Sequence, residues 1–269
     1  MNPFHQSKLQ QLFATYFSHF SYNSGFCGRD SLHLRDLEDK SSSNLRRTLY
    51  KINEVFETIQ GEASFTGCPS IFIRLQGCPV GCAWCDTKQT WHTDDTYLVD
   101  LADTVEKKAD SDYFANCNAE QILALIRDKK YQAKHIVITG GEPCMYDLNP
   151  LCNLLHENGF TTQIETSGTF EILAPSETWV TVSPKINMRG GYAVLKSAIH
   201  RANEIKHPVA MMRHVEELED LFEAAGHTPA LVYLQPISQK AKATRLAIEV
   251  CKAKNWRLSV QVHKYIGIA

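Results

Sequence analysis

The chain has 269 residues, 43% hydrophobic and 22% charged, enough for one sizeable core in a large α/β domain or two small ones. A net charge of -2 excludes a polyelectrolyte surface, so nucleic acid is not expected as a direct partner. No apolar run reaches the roughly 20 residues of a membrane span, the N-terminus lacks a secretory signal, and the chain reads as cytoplasmic, where clustered cysteines mean metal or redox chemistry and not disulfides.

Residues 1–48 mix Gly, Ser, Asn and charge without a sustained period and read as a poorly structured N-terminal extension, with a marginal amphipathic helix at 8–20. This arm buries too little apolar surface to offset its ordering entropy. It is expected to add nothing to catalysis, and translation from Leu49 is the alternative start. From residue 49 the chain is patterned. Strands are expected at 70–76, 135–140, 161–167, 179–184, 203–209, 230–236 and 257–263, rich in β-branched residues and closed by Gly, Pro or Ser. Helices are expected between them at 119–130, 148–159, 192–202, 215–226 and 242–254, with Asn158-Gly159 and Gly226 as stops. Alternating βα units imply a mostly parallel sheet, open or curled toward a barrel, with function at the carboxyl ends of its strands. Residues 93–118 are polar and acidic, show no strand pattern, and read as an insert.

The segment "RLQGCPVGCAWCDTKQTW" places Cys78, Cys82 and Cys85 in a C-x3-C-x2-C array just after strand 70–76. Thiolates so close suit zinc, with His92 as a fourth ligand, or an iron–sulfur cluster with one iron left open. Gly77, Pro79 and Gly81 among them disfavour three merely buried thiols. "TGGEP" (139–143) follows strand 135–140; by itself it is a strand-to-helix turn, and its glycines let backbone come close to a ligand.

The cysteine array with Trp84 before its last member, and the "GGEP" turn, resemble the radical S-adenosylmethionine superfamily. "FETIQGEASFTG", "IETSGT", "SPKINMRGGY", "NEIKHPV", "LQPISQK" and "VQVHKYIGIA" are similar, in order, to the 7-carboxy-7-deazaguanine synthases, from about Tyr50 to Ala269. The resemblance implies a shortened radical-SAM βα barrel and a homodimer. It implies a [4Fe–4S] cluster, S-adenosylmethionine, Mg2+ and an electron donor such as flavodoxin. The implied reaction converts 6-carboxy-5,6,7,8-tetrahydropterin to 7-carboxy-7-deazaguanine with loss of ammonia. A deoxyadenosyl radical takes hydrogen from carbon 6, the ring contracts, and S-adenosylmethionine is regenerated; no side chain acts as general base.

Matched residue by residue, Cys78, Cys82 and Cys85 would ligate the cluster, and Thr87 would meet Mg2+, although "DT" alone reads as a helix N-cap. Trp84, Cys85, Asp86, Gly141 and Glu142 would hold S-adenosylmethionine, the Glu142 carboxylate against its ammonium. Ser183, Pro184, Lys185, Gln235, Pro236, Ile237 and Ser238 would hold it further along. Ile59, Gln60, Gly61, Glu62, Thr139, His263 and the terminal carboxylate of Ala269 would enclose the pterin. Arg74, charged on an apolar strand, would meet the substrate carboxylate, since a buried Arg needs an anion. Ala63 departs from the family's "QGEG" and would bring a methyl near the pterin. Two rivals share parts of this pattern: an activase of a glycyl-radical enzyme, and a non-enzymatic zinc-binding module.

Overall fold

A computed structural model describes residues 48–237 and 240–268, all within the compact unit Ser42–Ala269. Residues 1–47 of the arm, including the helix expected at 8–20, lie outside the described residues.

Tyr50–Ile59 (β1) and Pro69–Leu75 (β2) pair antiparallel, and Ala115–Cys117 (β3) covers the other edge of β1. Helix Ala119–Asp128 (α1) follows, started by a capping box between Asn118 and Gln121. His135–Gly140 (β4), Asn149–Glu157 (α2), Thr161–Thr166 (β5), Trp179–Val182 (β6) and Lys196–Arg201 (α3) continue the chain. Glu204–Val209 (β7), Met212–Ala225 (α4), Val232–Pro236 (β8), Ala241–Lys254 (α5), Arg257–Leu258 (β9) and Val262–Ile266 (α6) complete it. The strands form one nine-stranded sheet in the order β3-β1-β2-β4-β5-β6-β7-β8-β9, parallel from β2 onward.

Four elements differ from expectation. β1 was not among the expected strands, because Lys51, Asn53, Glu54 and Glu57 interrupt its apolar pattern. The insert does contain a strand, β3, held by pairing with β1 and not by its own sequence. The strand expected at 257–263 stops after two residues: Val262 N donates to Gly61 O (3.0 Å), and the chain turns into α6. The helix expected from 192 starts at Lys196 because Leu195 N is committed to Gly168 O (2.8 Å). Gly159 (φ 79°) and Gly226 (φ 68°) end their helices in the left-handed region, as the sequence indicates.

Side chains alternate between the two faces of each strand, and here the faces differ in chemistry. Ile71, Ile73, Leu75, Ile136, Ile138 and Ile164 form one buried cluster with Ile122 of α1 and Leu151 of α2. Val180, Val182, Ile205, Val209 and Leu234 form a second with Leu218 of α4 and Ala247 of α5. The opposite face carries Arg74, Thr139, Glu165, Lys206 and Gln235, which line a cavity.

The two ends of the sheet approach each other around that cavity. Besides the Val262–Gly61 bond, Ala63 N donates to Ser259 Oγ (3.1 Å), and Ser64 Oγ lies 3.0 Å from Tyr233 Oη of β8. Phe65 stacks on His135 (4.2 Å) and meets Trp179 edge-on (5.3 Å), the first residues of β4 and β6. The segment after β1 thus crosses the amino ends of the strands as a floor, while the cavity opens at their carboxyl ends. This curl is the shortened βα barrel expected. Ala63 occupies φ 52°, a conformation that glycine adopts more cheaply. It is buried and outside the cavity wall, so the strain is in its backbone and its methyl does not reach the site.

Candidate active site

The cysteine loop leaves β2 and returns to its own base. Gly77 N donates to Thr90 O (2.7 Å) and Cys78 N to Trp91 O (3.2 Å). Gln76, fully buried, holds the neck: its amide donates to Gln89 O (2.9 Å) and His92 O (2.6 Å) and accepts from Asn53 Nδ2 (2.7 Å). The "GGEP" turn is hydrogen-bonded to this neck through Gly141 N to Leu75 O and Glu142 N to Gly77 O, both 2.8 Å. A Cβ on Gly140 would sit 2.2 Å from Leu75 N, and one on Gly141 would sit 2.1 Å from Gly77 O. Backbone-to-backbone approach by itself therefore requires these glycines, which also line the cavity.

Cys78, Cys82 and Cys85 are free thiols facing one cavity of about 860 Å3. Burial pushes Cys78 up to about 11 and raises Cys82 too, against the pull of Lys185. A bound cationic centre reverses that preference by stabilising thiolates, and the Trp91 indole N–H, 3.4 Å from Cys85 Sγ, is placed to donate to one. Three soft donors on a loop buttressed on both sides fit an iron–sulfur cluster. His92 is exposed and does not line the cavity. Among the described residues no three His, Cys, Asp or Glu groups converge on a single ion.

Trp84 is 42% exposed and stacks on His214 (6.2 Å). Asp86 lies 3.7 Å from Lys264. The Thr87 hydroxyl does not cap the turn that follows it; it faces Cys85 Sγ at 3.7 Å, at the cavity wall. Ser183 and Lys185 line the cavity, with Lys185 Nζ donating to Ser183 Oγ (2.6 Å) and burial lowering the Lys185 ammonium from its ordinary value. Pro184 is buried behind them, outside the wall. Gln235, Pro236, Ile237, Ile59, Gln60, Gly61, Thr139 and His263 all line the cavity. Ser238 and Ala269 lie outside the described residues.

Two carboxylates are engaged otherwise than expected. Glu142 is 1% exposed and accepts from Cys144 N (3.0 Å), Thr166 Oγ1 (2.6 Å), Ser167 N (2.8 Å) and Ser167 Oγ. A carboxylate offers about four acceptor positions, so Glu142 ties its turn to the end of β5 and keeps none for an ammonium. Glu62, expected to help enclose the pterin, is ion-paired to Lys206 and accepts from Gln261 Nε2 (2.9 Å) and Gln235 Nε2 (3.3 Å). Burial would raise its pKa, but Lys206 and these hydrogen bonds hold it at about 2. Lys206 also binds Glu165 Oε2 (2.6 Å), and Glu165 Oε1 accepts from Gln60 Nε2 (3.0 Å). Burial opposes the Lys206 charge, yet Glu165 and Glu62 raise its pKa above the ordinary lysine value.

Arg74 has an anion within the protein: Glu54, its cross-strand neighbour, lies 3.5 Å from Nε, and the guanidinium stands 5.5 Å from the Phe56 ring. The Nε atom is nonetheless buried without a hydrogen-bond acceptor. Lys107, Lys108, Ala109 and Asp110 of the insert form the adjoining wall, tied down by Lys107 N to Glu54 Oε1 (3.1 Å) and by Gln89 Nε2 to Asp110 Oδ1 (3.0 Å).

Sequence reasoning assigned no role to Gln76, Glu165, Lys206 or Lys107. The available signal was a charged residue directly after a buried isoleucine, Ile164-Glu165 and Ile205-Lys206. Strands buried on both faces lack that alternation.

The radical SAM superfamily model matches residues 72–215. The chain is 58% identical over 221 residues to the 7-carboxy-7-deazaguanine synthase of Escherichia coli K12, covering 82% of this chain and 99% of that one. It is 47% identical to the enzyme of the same name from Buchnera aphidicola subsp. Schizaphis graminum, covering 81% and 99%. The crystal structure of QueE from Escherichia coli superposes with a TM-score of 0.80 at 55% identity, covering 83% of this chain and 99% of that chain. With its cysteine loop, glycine turn and sheet in the same frame, the chain belongs to the radical SAM superfamily and, within it, to the 7-carboxy-7-deazaguanine synthase family.

Proposed function

We propose that this protein is a carbon–nitrogen lyase. It contracts the ring of 6-carboxy-5,6,7,8-tetrahydropterin to give 7-carboxy-7-deazaguanine and ammonia, in the formation of queuosine precursors. The observation that carries the reading is that one cavity gathers the cysteine loop, the glycine turn and the pterin-type residues Gln60, Glu62, Arg74 and Thr139.

Cys78, Cys82 and Cys85 would hold the [4Fe–4S] cluster. When bound, cluster and S-adenosylmethionine together supply a one-electron reduction that yields a hydrogen-abstracting carbon radical. Ser183, Lys185, Gln235, Pro236 and Ile237 would bind S-adenosylmethionine, with Gly141 presenting backbone to it. Arg74, beside Glu54, would anchor the substrate carboxylate with the remaining donors of its guanidinium. The Thr87 hydroxyl, a hard oxygen free of a capping role, would meet Mg2+. Phe65 below and residues 107–110 beside the cavity would exclude water. Function as a cytoplasmic homodimer served by a flavodoxin-type electron donor belongs to the same proposal. So does an arm, residues 1–48, dispensable for catalysis. Among the described residues no helix is long and apolar enough to cross a membrane. The test is anaerobic turnover of the carboxy-tetrahydropterin with S-adenosylmethionine, dithionite and Mg2+, read by mass. Product lighter than substrate by ammonia supports the proposal, and unchanged pterin with cleaved S-adenosylmethionine refutes it.

A further inference from the structure

Lys206 rises from β7 into the cavity wall and is 4% exposed. Its ammonium is bound by two carboxylates from distant segments, Glu62 after β1 and Glu165 on β5. Both carboxylates line the cavity, and neither is saturated. Glu165 accepts one hydrogen bond on each oxygen, from Gln60 and Lys206, and Glu62 accepts three in all. Of about four acceptor positions each, two remain on Glu165 and one on Glu62. Two carboxylates this close to one ammonium cannot both stay ionised in a buried site without it, because like charges force one to take a proton.

We propose that Lys206 is a positioning residue for substrate: it keeps Glu62 and Glu165 ionised side by side, so that their remaining acceptor positions receive the row of N–H donors on a ligand's guanidine-like edge. This rests on the functional reading above, since an amino-pyrimidinone ring presents such an edge. The arrangement has the correct sign and shape. One cation and two anions leave a net negative pair facing the cavity, whereas Arg74 supplies positive charge at another part of the wall. A ring with donors along one side and a carboxylate on the other would be oriented by that polarity. The other charged groups near the pair are His263 of α6, which lowers Glu62, and Lys185, whose own ammonium is disfavoured by Lys206. Neither is hydrogen-bonded to Glu62, Glu165 or Lys206.

The test is binding of 6-carboxypterin, an unreactive oxidised relative of the substrate, followed by its fluorescence with the reconstituted protein at about pH 6 and about pH 7.5. The wild type and Lys206→Arg are expected to bind with equal affinity at the two pH values. Lys206→Met is expected to bind roughly tenfold or more weakly, the size of a lost charge-assisted hydrogen bond. Its deficit is expected to grow several-fold toward pH 6, as one carboxylate takes up a proton. A purely structural role would lower affinity by the same factor at both pH values, and that result, or unchanged affinity, overturns the proposal. Should Lys206→Met fold poorly, the double variant Lys206→Met/Glu165→Gln removes one charge of each sign. It is expected to bind weakly with little pH dependence, and wild-type affinity in it overturns the proposal as well. Absence of binding by the wild type removes the functional reading together with this one, whereas binding by the wild type with pH-parallel variants removes only the role of Lys206.

Discussion

Replacing Glu142 by Ala separates a structural carboxylate from a ligand-binding one. In the native protein four donors converge on its two oxygens, and the side chain is 1% exposed. Ala strands the backbone N–H groups of Cys144 and Ser167, each costing about 1–3 kcal/mol when buried without a partner. The two hydroxyls lose less, since the Ser167 hydroxyl can turn to Thr169 Oγ1 at 2.7 Å. The sum is a loss of about 3–5 kcal/mol, a large part of the stability of an ordinary domain. Glu142→Gln keeps one acceptor oxygen but points an amide NH2 at two donors, so it is expected to lose about 2–3 kcal/mol. Urea denaturation of the metal-free protein, followed by tryptophan fluorescence, measures both. If Glu142→Ala stays within about 1 kcal/mol of wild type yet fails to bind S-adenosylmethionine in calorimetry, the carboxylate serves the ligand and the argument from saturated acceptors is wrong.

Single changes of Cys78, Cys82 or Cys85 to Ala are expected to abolish cluster assembly, measured by iron content and anaerobic absorption, whereas Cys144→Ala, buried off the loop, keeps it. Arg74→Ala is expected to weaken pterin binding by about 2–5 kcal/mol, because it leaves the substrate carboxylate unpaired. Uncoupled cleavage of S-adenosylmethionine should barely change, and calorimetry with a product assay checks both. Glu62 has its folded-state pKa depressed from 4.5 to about 2. Its stabilisation of about 3 kcal/mol is therefore present above pH 4.5 and lost as pH falls through 2. The stability gap between wild type and Glu62→Gln should shrink by more than half between neutral pH and about pH 3, and a constant gap counts against the pairing with Lys206. A chain beginning at residue 49 is expected to match the full chain in denaturation midpoint, oligomeric state and turnover, and loss of any of these assigns the arm a role.

The parallel core was legible because its strands carry β-branched runs bounded by turn residues, and two of the expected helices end where Gly159 and Gly226 adopt positive φ. The cysteine loop and the "GGEP" turn were legible because their chemistry is local in sequence. What escaped was non-local. Lys206, Glu62 and Glu165 are far apart along the chain and meet only when the sheet curls. Gln76 acts through the backbone of residues 89 and 92, which no side-chain pattern reports. β3 exists through pairing with β1, and the last strand ends early because Gly61 competes for Val262 N. The hydrogen bonds of Glu142 were not legible because the motif fixes the residue type but not which donors surround it.

The cysteine loop and the glycine turn share a seam of backbone hydrogen bonds with no room for a Cβ on the glycine side. Their separation is therefore set by peptide geometry, like the teeth of two meshed gears, and not by side-chain packing that can relax. Substitutions around the seam can weaken it without changing its spacing. An insertion or deletion of one residue in either strip would put the two out of step at once. A change of length within residues 93–118, which form no part of the seam, is expected to leave the distance between the thiols and the turn unaltered.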